Sequence, residues 1–113
     1  MDLINDIQTL MKELTISIKK LEQTGRALAE SERDYKITLR QEALTLRVEK
    51  DMPVTLINQI IFGVPEVAEK RFKRDVAETI YNTNQEHINA TKLKLRLLES
   101  QLNREWGNSK NEV

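Results

Sequence analysis

The chain has 113 residues, 39% of them hydrophobic and 32% charged, with 18 basic residues balanced by 18 acidic ones. That length and composition suit a single domain rich in surface, and a net charge of zero excludes a global field favouring nucleic acid or an anionic membrane. The absence of cysteine excludes disulfide and thiol chemistry and fits a reducing cytosol.

Three glycines and two prolines are few for a fold with many turns, and so favour long helices. The aromatic residues Tyr35, Phe62, Phe72, Tyr81 and Trp106 are too few to anchor a sandwich or barrel core. Leucine and isoleucine must supply most of the packing. The opening MDLINDIQTLMKEL is acidic early and lacks a long apolar run with a small-residue cleavage site, so it is not expected to be a signal peptide. No run approaches the roughly 18 apolar residues of a membrane-spanning helix.

From residue 3 to 49 the apolar residues keep helical spacing, which predicts one long amphipathic helix. Ile7, Leu14, Leu21, Leu28 and Tyr35 recur every seven residues, as in a coiled-coil seam. The neighbouring series starts with Leu3 and Leu10 and continues as Ser17, Thr24, Ser31, Thr38 and Thr45. Such small residues either let a second helix approach closely or lie on a half-exposed flank. Gly25 costs on the order of 1 kcal/mol inside a helix, yet the period carries on through Leu28 and Tyr35, so the helix is read as continuous.

Asp51-Met52-Pro53 ends this helix, because proline lacks the amide that continues the ladder and pushes its predecessor out of the helical region. Residues 54–62, VTLINQIIF, read as a short apolar helix stopped by Gly63, with a strand as the alternative. Val64-Pro65-Glu66 restarts a helix with proline at its first position. A second long helix over 66–106 follows, with Tyr81, Ile88, Leu95 and Leu102 seven apart and Ala77, Asn84, Thr91 and Leu98 on the adjoining edge. Trp106 is expected to pack the end of this helix against Leu3, Ile4 and Ile7, and residues 108–113 are read as a disordered polar tail.

The fold expected is therefore all-α: a long antiparallel helical hairpin with a short apolar helix at the bend, forming one domain over residues 1–107. A lone hairpin would leave Ile57, Ile60, Ile61, Leu93 and Leu97 partly wet. Together with Val54 and Phe62 they form the expected interface, and a homo-oligomer, most simply a dimeric four-helix assembly, is the expected closed form.

The chemistry-bearing residues are sparse. His87 stands alone without a metal-ligand pattern and is read as a seam-edge residue, so no metal, cofactor or catalytic residue is expected. The basic cluster Lys70, Arg71, Lys73 and Arg74 surrounds Phe72 and faces Arg40, Arg47 and Lys50 across the expected bend. Interspersed carboxylates make a solvated salt-bridge lattice the plain reading. The sharper reading is an anion site built from Arg40, Arg47, Lys70, Arg71 and Arg74, with Phe72 or Tyr81 stacking on a base.

The segments MPVTLINQIIFG, VAEKRFKRDVAETIY and LKLRLLESQLNREWG, within Leu46 to Gly107, resemble small helical proteins from early-gene regions of bacteriophages and prophages of Gram-positive bacteria. The resemblance implies a viral protein acting in the host cytoplasm and carries over no functional residues. The expected function is non-enzymatic: an oligomeric protein that occupies a host partner, such as a defence or replication component. The alternatives are a sponge sequestering an anionic nucleotide signal near the bend and a single-stranded nucleic-acid accessory protein. No membrane partner is expected.

Overall fold

A computed structural model describes residues 2–111, with side chains through Gly107, and they form an all-α helical hairpin. Helix α1 spans Leu3–Val48, α2 spans Val54–Ile60, a single 3-10 turn covers Ile61–Gly63, and α3 spans Pro65–Asn111. The expected boundaries hold closely, and VTLINQI is helix, not strand. The chain groups into two compact units, one made of the chain up to Glu22 together with Asn82 onward, the other of Gln23–Tyr81.

Helix α1 begins where Asp2 accepts hydrogen bonds at Oδ1 from the amides of Ile4 (3.0 Å) and Asn5 (3.4 Å), satisfying two donors that have no partner within the helix. It runs through Gly25 unbroken. In α3, Pro65 takes the first helical position, as the sequence implies. Gly107 does not end α3, which continues to Asn111. Gly107 lacks the positive φ of a glycine stop, so 108–111 belong to the helix instead of the expected tail, and Glu112 and Val113 lie outside the described residues.

In the first unit the two helix segments run antiparallel. Leu3 and Ile4 share a shallow groove with Gln101 and Leu102, and Asn84 Nδ2 donates to the Ser17 carbonyl at 3.1 Å. The seven-residue series supply the seam: Leu3, Ser17, Asn84, Ile88, Thr91 and Leu95 are buried, with Ile7, Leu10, Leu14, Leu98 and Leu102 half-buried. Trp106 is 62% exposed and plugs nothing, contrary to expectation. Leu102, one helical turn earlier, already occupies the seam against the start of α1, and Trp106 falls on its flank.

The second unit has a seam of half-buried Thr24, Leu28, Ser31 and Thr38 and buried Tyr35 on α1, with buried Val67 and Ala77 and half-buried Tyr81 on α3. The small-residue series is therefore part of the seam. Several hydroxyls are satisfied within their own helix: Ser31 Oγ donates to the Ala27 carbonyl (2.8 Å), and Thr45 Oγ1 to that of Gln41 (3.0 Å). Gly25 marks a close approach, since a Cβ there would lie 3.3 Å from Tyr81 Cε1.

The bend has a small core of its own, made of Tyr35, Ile57, Ile61 and Val67, with Leu39, Ala43, Leu46, Met52 and Val64 packed against it. This corrects the expected interface, for Ile57 is 6% and Ile61 4% exposed within one chain. They lie four residues apart, on the side of α2 and its 3-10 turn that folds back onto the long helices. The reversal is made by Asp51, the one non-glycine residue with positive φ (50°) among those described, and not by a glycine. Gly63 has no positive φ either. The second break comes from Val64, held extended at φ −64° and ψ 126° ahead of Pro65.

Candidate functional site

The bend-side unit contains the basic cluster singled out from the sequence. Arg74 lies in the same seven-residue series as Tyr81, and its guanidinium sits 4.8 Å from the centre of the Tyr35 ring. Its Nη2 and Nε donate to Asp75 Oδ1 at 2.7 and 3.0 Å. That hydrogen bond holds Arg74 above the usual arginine pKa against the opposing effect of burial, with the carboxylate's charge adding to it.

Arg71 lies 5.2 Å over the ring of Phe62. Arg47 Nη1 donates to the Met52 carbonyl at 3.1 Å, tying the end of α1 to the turn. Lys73 Nζ stands 3.9 Å from Glu69 one turn earlier. Of the remaining expected anion ligands, Lys70 is half-buried and Arg40 exposed. Phe72, the expected stacking ring, is exposed, whereas Tyr35 and Phe62 are the rings that receive arginines. The register held the missing signal for Arg74. Tyr35 and Arg74 each continue a seam series and meet across it.

These contacts act chiefly as clamps. A guanidinium over an aromatic face contributes about 0.5–1 kcal/mol when exposed. Here the pairs fasten the 3-10 turn, through Phe62, and α1, at Tyr35, to the start of α3. His87 is exposed and only its carbonyl is engaged, accepting from Thr91 Oγ1 at 2.8 Å. Among the described residues, no group of three or more histidine, aspartate or glutamate side chains is placed to hold a metal ion. Also among them, no helix is long and apolar enough to cross a membrane.

The unit also presents large apolar side chains outward. Helix α2 covers one flank of the seam, where Leu39, Ala43 and Leu46 pack against the bend core. The opposite flank has no such cover. There Gln23, Thr24 and Ala27 of α1 share a shallow groove with Lys73, Val76, Ala77 and Ile80 of α3. In an antiparallel helix pair, positions that flank the seam on one side of the first helix share a face with their counterparts on the second. The heptad register therefore puts Ile37, Leu44 and Val48 of α1 on the groove side with Val76 and Ile80, bordered by Phe72, and these six are between 42% and 75% exposed.

Among the expected interface residues, Val54, Ile60, Phe62, Leu93 and Leu97 are exposed. The expected interface left out the face that Phe72, Val76 and Ile80 share by their four-residue spacing, and with it the α1 side of the flank. Its signal was the spacing Ile37, Leu44, Val48, which repeats the seam's period one flank over. Compared with protein-family models, curated proteins and solved structures, the chain matches none.

Proposed function

We propose that the protein acts by binding another helical chain through the uncovered flank of its bend-side unit, and that it works without catalysis. The observation that carries this reading is the contrast between the two flanks. One is closed by α2, and the other leaves Val76 and Ile80 in water at a groove, with Ile37, Leu44, Val48 and Phe72 exposed elsewhere on the unit. Exposed apolar surface of that size usually serves an interface. Among the described residues every buried side-chain nitrogen and oxygen has a partner, so the seam itself needs nothing further.

An early phage protein that occupies a host component in the cytoplasm is the form of this proposal that the resemblance of Leu46 to Gly107 supports. A nucleotide sponge has less support, because Arg47, Arg71 and Arg74 are already engaged by Met52, Phe62, Tyr35 and Asp75.

Amine-directed cross-linking in a Gram-positive bacterial lysate, read by mass spectrometry, tests the reading. Lys73 lies in the groove and is expected to become joined to a second polypeptide. A Val76→Asp/Ile80→Asp variant is expected to lose that product. No cross-link from Lys73, or an equal yield from the variant, would contradict the proposal.

A further inference from the structure

We propose that the uncovered flank is occupied by a second copy of this chain, so that Ile37, Leu44, Val48, Phe72, Val76 and Ile80 form an isologous interface. The inference rests on the reading of that flank as a binding surface and names its occupant.

Size gives the first reason. Six large side chains exposed to this degree present on the order of 500 Å² of apolar surface spread along the flank, most of the roughly 800 Å² each partner contributes to a standard interface. With a polar rim added, a copy meeting its own face reaches the size of a stable dimer contact.

Period is the second. Ile37, Gln41, Leu44 and Val48 step by four, three and four residues, and Lys73, Val76 and Ile80 by three and four. Side chains in that rhythm accept knobs from a helix packed at the coiled-coil angle. This face carries the rhythm on both of its own helices, so each copy offers what the other requires.

Charge is the third. An isologous contact sets a face against its own rotated copy, so the face must contain both signs in complementary places. The α1 edge carries Glu30 and Asp34, the latter paired with Arg33 at 3.2 Å, and the α3 edge carries Lys73, 3.9 Å from Glu69 one turn earlier. With α1 of one protomer lying over α3 of its partner, the acidic edge of each meets the lysine of the other. The chain as a whole is neutral, so no net repulsion opposes pairing.

The test is sedimentation velocity on the purified chain across a concentration series. The monomer weighs 13.2 kDa, so the expected species is twice that, 26.4 kDa. The Val76→Asp/Ile80→Asp variant is expected to keep its helical circular dichroism, since both side chains point out of the seam, and to dissociate at concentrations on the order of 100-fold higher or more. Lys73→Glu, which alters charge alone, is expected to weaken the dimer about fivefold, and adding Glu30→Lys and Asp34→Lys to restore it. A wild type that stays at 13.2 kDa throughout, or a folded Val76→Asp/Ile80→Asp variant as dimeric as the wild type, would overturn the inference. Were the wild type monomeric while Lys73 still cross-linked to another protein in lysate, this inference alone would fall and the binding reading would stand.

Discussion

Gly25 shows how one absent methyl group sets the approach of two helices. Glycine inside a helix costs on the order of 1 kcal/mol relative to alanine, so an added Cβ would bring a propensity gain. That Cβ would lie 3.3 Å from Tyr81 Cε1, tighter than ordinary contact, but Tyr81 is only half-buried and its ring can give by a few tenths of an ångström. Gly25→Ala is therefore expected to stay within about 1 kcal/mol of wild type, while Gly25→Leu should destabilise by about 1–3 kcal/mol through overpacking. Urea unfolding followed by circular dichroism measures both. A leucine variant as stable as the wild type would mean that the helices do not meet at Gly25. Asn84 is the polar counterpart in the first unit, where a buried side-chain amide donating to the Ser17 carbonyl gives the seam a fixed register.

At the scale of elements, the short helix and its 3-10 turn decide which apolar residues are core. Deleting a well-packed isoleucine side chain typically costs 2–5 kcal/mol through lost transfer energy and the cavity left behind. Ile57→Ala and Ile61→Ala are expected to fall in that range of about 2–5 kcal/mol, and Val54→Ala, at an exposed site, within about 0.5 kcal/mol. Calorimetric melting separates these outcomes. Equal losses at Ile57 and Val54 would return Ile57 to the surface, where the sequence reading had placed it.

The long helices were legible because their seven-residue series are strict, and the stop at Asp51-Met52-Pro53 was legible because proline's effect is local. Which side of the bend α2 covers was not legible. That depends on the direction of the chain after Asp51, whose positive φ no residue pattern announces. The arginine clamps were missed for a related reason, since Arg71 meets Phe62 only once the 3-10 turn has folded back. Gly63 and Gly107 look like helix stops in sequence, but a glycine stop works by adopting a left-handed conformation, and neither residue does.

At the scale of the molecule, the account divides the isoleucines into three environments, which one measurement can distinguish. Ile57 and Ile61 are buried within a single chain, Ile37 and Ile80 lie on the proposed pairing face, and Ile18, three heptads before Leu39, is exposed on the other flank of α1. With the isoleucine methyl groups isotopically labelled, NMR relaxation by a soluble paramagnetic agent reports the access of each to solvent. The prediction is that Ile57 and Ile61 are protected at every protein concentration, Ile18 is relaxed at every concentration, and Ile37 and Ile80 pass together from relaxed to protected as concentration rises. Ile37 and Ile80 tracking Ile18 at all concentrations would contradict the account.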